Sequence, residues 1–348
     1  MPAQGTMNTR RLFFFLFFIL FGALLVAGSF SLLKPPSREK ASLTPLSIAF
    51  DWTPNTNHTG IYVALAKNWY AEEGIDLKIL PYSDSVSTDV LVNAGTVDLG
   101  ISSTEAITAD MAAGAPVVSV AAIIAHNTSS LAVLKDSDIT RPAQLEGKIY
   151  GGYGAPFEEP VIGTMIRTDG GTGAFENVTL NMDPLEALRT KRIDFSWIFD
   201  AWQGVAAKRA GVVLTTFPIN QYGIPDYSTP DIITSPDTLK EKKDALKRFM
   251  KATARGYEYA RTHPRESAQM LIDAAPAGTF PDEGLVFESQ EYLSPRYADI
   301  GKPWGVQAAA SWRDYPAFMI ANKAVFDASG KPVSAIDFDS LYTNELFD

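Results

Sequence analysis

Asp51, Trp52, Asn55, Asn57 and His58 lie within eight consecutive residues, bringing a carboxylate, an indole, two amides and an imidazole to one short segment. Such a set suits the capture of a flat polar ring. Indole stacking adds about 0.5–1.5 kcal/mol beyond area burial, while amides and a carboxylate accept or donate the in-plane hydrogen bonds. The segment follows the apolar run at residues 46–50, which reads as a strand. Pro54 cannot donate to a ladder and Asn55 and Asn57 favour turns, so the strand stops there and residues 60–69 resume as a helix. An ordinary core tryptophan sits awkwardly in a strand-end turn crowded with amides, which turns Trp52 from core filler into a stacking platform.

Further along, Trp197, Phe199 and Trp202 stand at spacings of two and three at the end of another predicted strand. Trp197 and Phe199 should share one face of it, with one of the three in the core. Residues 151–159, Gly-Gly-Tyr-Gly-Ala-Pro-Phe-Glu-Glu, follow a strand and open a helix, so backbone N–H groups there can take an oxygen. Glu159 reads as a first-turn carboxylate that suits the helix dipole. Glu158 could do the same, or point toward a ligand and accept hydrogen bonds from it. Ser103 reads as an N-cap.

Other chemistries lack their parts. The chain has no cysteine, which excludes disulfides, thiolate metal sites, a cysteine nucleophile and a lipid-modified cysteine anchor. His58, His126 and His263 are too scattered to form a metal site. There is no Gly-x-Ser-x-Gly elbow, no phosphate loop and no complete dinucleotide fingerprint. Forty acidic against 30 basic residues give a net charge of −10, a surface that repels nucleic acid.

The elements that must position these residues follow a βαβ rhythm. Residues 46–50, 76–80, 99–102 and 117–124 read as strands, and 60–69, 87–93 and 105–113 as helices ending near Gly74, Gly95 and Gly114. That rhythm is the one of a parallel sheet with helices on its faces; it restarts after residue 127, with strands at 131–134, 149–153, 178–181 and 195–199, and implies a second α/β unit. A long amphipathic helix at 244–262 places Leu246, Phe249, Met250, Thr253, Tyr257 and Ala260 on one face. Ahead of all this, Arg10 and Arg11 precede 22 uncharged residues at 12–33. As a helix these span roughly 33 Å, enough for a hydrocarbon core of about 30 Å. Residues 1–33 are thus expected to be a signal peptide or membrane anchor that exports the rest of the chain, and residues 34–44 a polar linker.

The run Asp51-Trp-Thr-Pro-Asn-Thr-Asn-His-Thr-Gly-Ile-Tyr62, with 67–77, 97–103, 151–159, 193–199 and Tyr342-Thr-Asn-Glu345 in order behind it, resembles the thiamine-pyrimidine-precursor family of solute-binding proteins. The resemblance covers roughly residues 45–346. It implies an α/β type II periplasmic-binding-protein fold, two α/β lobes with a hinge and an interlobe cleft. Lobe 1 would be residues 45–127 and 235–348 and lobe 2 residues 128–234, with crossings near 125–130 and 230–236. It further implies an extracytoplasmic, non-catalytic component of an ABC importer, working with permease and ATPase subunits and needing no cofactor or metal. An aromatic of the 193–199 motif would face Trp52 across the cleft, and the Ser103 turn would face the cleft too. The residues expected to meet a small heteroaromatic ligand are Trp52, Asn55, His58, Tyr62, Ser103, Gly154, Pro156, Glu158, Trp197, Phe199 and Trp202. Asp51, Glu105, Glu158 and Asp200 should bring negative charge to the cleft, unlike sulfonate or nitrate receptors of the same fold. Asp200 departs from the uncharged residue expected there. The alternatives are a riboflavin receptor and, in another class, the related pyrimidine synthase. That enzyme uses pyridoxal phosphate and a histidine at the place of His58, aided by a cysteine-rich motif that this chain lacks.

Overall fold

The computed structural model describes Met1 and residues 43–83 and 85–347. The expected leader at 1–33 and nearly all of the linker at 34–44 lie outside the described residues. Among the described residues no helix is long and apolar enough to cross a membrane.

Leu43–Asp348 holds two five-stranded sheets. The strands are β1 (Thr44–Ala49), β2 (Ile75–Leu80), β3 (Leu99–Ser102), β4 (Val118–Ala122), β5 (Ser129–Leu134), β6 (Ile149–Gly152), β7 (Glu176–Thr179), β8 (Phe195–Phe199), β9 (Leu214–Pro218) and β10 (Asp231–Thr234). The first sheet has the order β2-β1-β3-β10-β4 and the second β7-β6-β8-β5-β9. The β1, β2 and β3 strands pair in parallel, as do β6, β7 and β8. The rhythm suggested a parallel first sheet; both sheets are mixed. β10 runs antiparallel to β3 and β4, because it is the chain returning from the second sheet, and β5 runs antiparallel to β8 and β9.

Two boundaries differ from expectation. β10 belongs to the first sheet, so the second lobe ends before Asp231 rather than at residue 234. The helix Ala309–Ala321 straddles both units: Trp312 packs with Ala49 and Ile233, whereas Tyr315 and Met319 are buried with Leu131, Phe195 and Trp197. Residues 235–348 therefore do not all pack with the first sheet.

Helix Lys243–Thr262 buries Leu246, Phe249, Met250, Thr253, Tyr257 and Ala260, the face its periodicity marks. It crosses helix Thr59–Ala66, which follows the Trp52 turn, at very short range. A Cβ on Gly256 would lie 2.0 Å from the Gly60 carbonyl oxygen, and one on Gly60 would lie 2.2 Å from the Tyr257 ring. Helix propensity alone favours alanine over glycine by about 1 kcal/mol, but overpacking costs about 1–3 kcal/mol, and backbone cannot step aside as a side chain can. Gly256→Ala should therefore lower the melting temperature in a calorimetric scan; an unchanged or higher value would mean the two helices separate at little cost.

The crossings are tied by His126, which lies on the first. Its Nδ1 pairs with Asp226, on the approach to the second, and its Nε2 lies 2.9 Å from Asp299 Oδ1. The hydrogen bond to Asp226 is the main cause that lifts the His126 pKa from 6.5 to about 9, with burial opposing and Asp299 assisting. A raised pKa stabilises the fold fully below 6.5, and the effect is lost as pH rises through about 9. The melting temperature should fall over that window, and more shallowly in His126→Gln; parallel curves for the two proteins would show that this cluster contributes nothing.

Candidate functional site

β1 ends at Ala49, and the chain then turns about a buried imidazole. His58 stacks on Phe50, with ring centroids 4.1 Å apart. Its Nδ1 receives the Asn55 backbone N–H at 3.2 Å, which leaves the ring proton on Nε2 to donate to Asp51 Oδ1 at 3.0 Å. Asn55 in turn accepts from the Asn57 N–H at 2.9 Å and donates to the Thr53 carbonyl at 3.1 Å. The Tyr257 and Tyr297 hydroxyls donate to the Asn57 and Thr56 carbonyls, so the turn is held both by its own groups and by the core beneath it, and it presents the Asp51 carboxylate and the Trp52 ring outward. Trp52 is 56 % exposed, propped at 5.1 Å against Tyr82.

These groups open onto a cavity of about 250 Å³ between the two sheets. Trp52, Asn55 and Ser103 line it from the first unit, Tyr153, Phe199 and Gln203 from the second, and Trp202 from the turn after β8, its ring edge-on to Phe280 and packed against the first unit's core, with Thr229 and Pro230 of the crossing between. Tyr153 and Phe199 are about half exposed, like Trp52. Asp51 is the one charged side chain among the described residues that line the cavity, and no lysine or arginine does. Ser103 serves both readings made of it, since its hydroxyl accepts the Ala106 N–H at 3.2 Å while lining the space.

Of the residues expected to meet a ligand, the cavity gathers Trp52, Asn55, Ser103, Phe199 and Trp202. His58 and Tyr62 lie beneath it in the core; Tyr62 packs edge-on against Phe50 at 5.9 Å, and burial raises its phenol to about 12. Trp197 is 5 % exposed, set edge-to-face against Phe157, so it fills the core of the second unit. Trp197 and Phe199 both pair in register with β5, opposite Leu131 and Ser129, as a two-residue period requires; Trp197 is buried while Phe199, the last residue of β8 before the turn Asp200–Gly204, is half exposed. Gly154 and Pro156 are exposed but do not line the cavity.

The expected ring of negative charge reduces to Asp51. Glu158 is 1 % exposed and its carboxylate accepts from its own loop. Glu105 is buried under the crossings, accepting from Tyr227 and Tyr315, and burial raises its pKa. Asp200 accepts from Ser130 Oγ at 2.9 Å outside the cavity lining, and burial lifts its pKa to about 6. Sequence reasoning missed Tyr153 as a cavity wall although it lay within a marked motif. Gln203 and Thr128 had no signal, because a bend and a crossing bring them in.

Two mixed α/β sheets joined by crossings, with a cavity between them, define the periplasmic-binding-protein fold. The chain belongs to the NMT1/THI5-like family, which it matches over residues 55–267. It is 28% identical over 311 residues to the formylaminopyrimidine-binding protein of Halalkalibacterium halodurans, covering 87% of this chain and 92% of that one. It is 26% identical over 264 residues to the 4-amino-5-hydroxymethyl-2-methylpyrimidine phosphate synthase of Legionella pneumophila, covering 74% of this chain and 83% of that one. Among solved structures, the periplasmic aliphatic sulphonate binding protein SsuA of Escherichia coli shares the fold with a TM-score of 0.65 at 15% identity, covering 88% of this chain and 100% of that one.

The two tryptophans differ in a testable way. Trp197→Ala should cost about 3–5 kcal/mol of stability, as truncation of a buried aromatic does, whereas Trp52→Ala should stay within about 0.5 kcal/mol in the ligand-free protein. Equal losses in denaturant unfolding would assign both rings to the core.

Proposed function

We infer that this chain is the extracytoplasmic solute-binding component of an ABC importer, and that it holds an aminopyrimidine thiamine precursor in the cleft by stacking and hydrogen bonds. The observation that carries this reading is the make-up of the cavity: half-exposed Trp52, Tyr153 and Phe199 rings from opposite units, one carboxylate, and no basic side chain. A flat ring inserted there meets π faces, and its amino group or protonated ring nitrogen meets Asp51. The same make-up argues against an anionic sulfonate, which would face a carboxylate with no counter-charge. The name of the Halalkalibacterium halodurans relative supports the same ligand class. A Kd near 1 μM corresponds to about −8 kcal/mol, within reach of one stacked ring and a few buried hydrogen bonds. Closure of the two units about their crossings would present the loaded form to permease and ATPase partners, with residues 1–33 as export signal or tether.

The non-catalytic reading rests on His58 and on composition. A histidine that surrenders part of itself to a product must reach the substrate. Here it is fully buried, with both ring nitrogens engaged by Asp51 and Asn55, and the chain has no cysteine. The cavity of about 250 Å³ also favours a single ring over the three fused rings of riboflavin.

Calorimetric titration with the hydroxymethyl aminopyrimidine, its formylamino derivative, thiamine, riboflavin and an alkanesulfonate tests this directly. The aminopyrimidines should bind most tightly. Asp51→Asn keeps an acceptor for His58 Nε2 but removes the charge, so affinity should fall by about 1.5–3 kcal/mol, roughly ten- to hundredfold. Binding of the sulfonate in preference to every aminopyrimidine, or an Asp51→Asn variant of full affinity, would contradict the assignment.

A further inference from the structure

The turn between β6 and the helix Glu158–Thr168 has the make-up of an anion cradle that is already filled. Three consecutive backbone N–H groups, of Tyr153, Gly154 and Ala155, converge just ahead of an 11-residue helix. Such convergence at a helix N-terminus receives phosphate or carboxylate oxygens. Glu158 supplies that oxygen pair itself. Its Oε1 accepts the Tyr153 N–H at 2.9 Å and the Tyr150 hydroxyl at 2.8 Å, and its Oε2 accepts the Gly154 and Ala155 N–H groups at 2.8 and 2.9 Å. The preceding strand is shaped around this carboxylate: a Cβ on Gly152 would lie 2.7 Å from Oε1 and 2.3 Å from the Tyr150 ring. Gly154, at φ +82°, turns its N–H inward to complete the set.

The cradle adjoins the ligand cavity through Tyr153, whose N–H is pinned by Glu158 and whose ring lines the space opposite Trp52. We propose that Glu158 determines specificity against phosphorylated ligands: by occupying the anion cradle of the second unit it reserves the cleft for the unphosphorylated heteroaromatic and turns away its phosphate monoester. This rests on the cleft being a heteroaromatic site. A phosphate at the Tyr153 wall would have to displace a carboxylate that accepts four hydrogen bonds, or lie beside it. Elsewhere in the cavity it would meet Asp51 and no cation. Glu158 also acts as a positioning residue for the Tyr153 ring, since it fixes the backbone from which that ring projects.

The test compares the hydroxymethyl aminopyrimidine with its phosphate monoester, and adds inorganic phosphate as a separate probe. Wild type should bind the alcohol at least about a hundredfold more tightly than the ester, the scale of an uncompensated like-charge contact. Its melting temperature should not respond to millimolar phosphate beyond a chloride control of equal ionic strength. In Glu158→Ala the freed N–H groups should narrow the alcohol-to-ester ratio at least about tenfold and make phosphate stabilising. An ester bound by wild type within about threefold of the alcohol, or a ratio unchanged in Glu158→Ala, overturns the proposal. Should wild type bind neither compound, the pyrimidine reading of the cleft fails, while phosphate stabilisation of Glu158→Ala alone still supports the filled cradle and its absence refutes it. If Glu158→Ala does not fold, the wild-type ratio and its indifference to phosphate decide.

Discussion

The placement of the cavity-facing groups of the first unit depends on one buried imidazole. His58 takes the Asn55 N–H on one nitrogen, gives its proton to Asp51 with the other, and stacks on Phe50, so three residues of a loop are tied to the end of β1. A turn that leaves a strand end would otherwise have to satisfy its polar groups with water, and its side chains would be free to wander. With the internal partners in place, the carboxylate and the indole are held at the cleft edge by a framework that needs no ligand to form. Preorganisation of this sort lowers the ordering cost of binding, which is how a small cavity with few polar groups can hold a small molecule.

The second unit uses a carboxylate where the first uses an imidazole. Glu158 gathers the N–H groups of residues 153–155, and Tyr153 emerges from that loop toward the cavity. Beneath the crossings, Glu105 accepts from Tyr227 and Tyr315, whose rings stack 3.6 Å apart, and Asp231 accepts from Ser228 and Thr104. Burial raises the pKa of both carboxyl groups, and the hydrogen bonds they accept from their hydroxyl partners oppose that rise. The polar groups between the units are thus largely consumed in holding the frame. Asp51 is the charged side chain that remains for a ligand among the described cavity residues.

Much of this frame is legible in the sequence because periodicity reports burial. The face of helix 243–262 and most strands fall where the pattern puts them, and Gly74, Gly95 and Gly114 adopt the positive φ that helix ends require. β10 was not legible: four residues, Asp-Ile-Ile-Thr after a proline, carry too little alternation to mark a strand, and its antiparallel direction follows from where the chain returns. The Trp52 turn was readable as a site because its residue types conflict with a core role. Glu158 was readable as a carboxylate that serves either its own helix or a ligand; the choice was not legible, since the partners that decide it are the backbone N–H groups of residues 153–155. Which of Trp197 and Phe199 is buried was not legible, because the period gives the face of a strand and not where the sheet's cover ends.

The central claim is that a flat ring lies on the Trp52 face, and tryptophan fluorescence during titration with the aminopyrimidine addresses it most directly. Saturable quenching should occur in wild type and in a Trp197→Phe protein, and should vanish in Trp52→Phe while calorimetry still detects binding. Quenching that survives in Trp52→Phe would put the ligand against another indole and contradict the account.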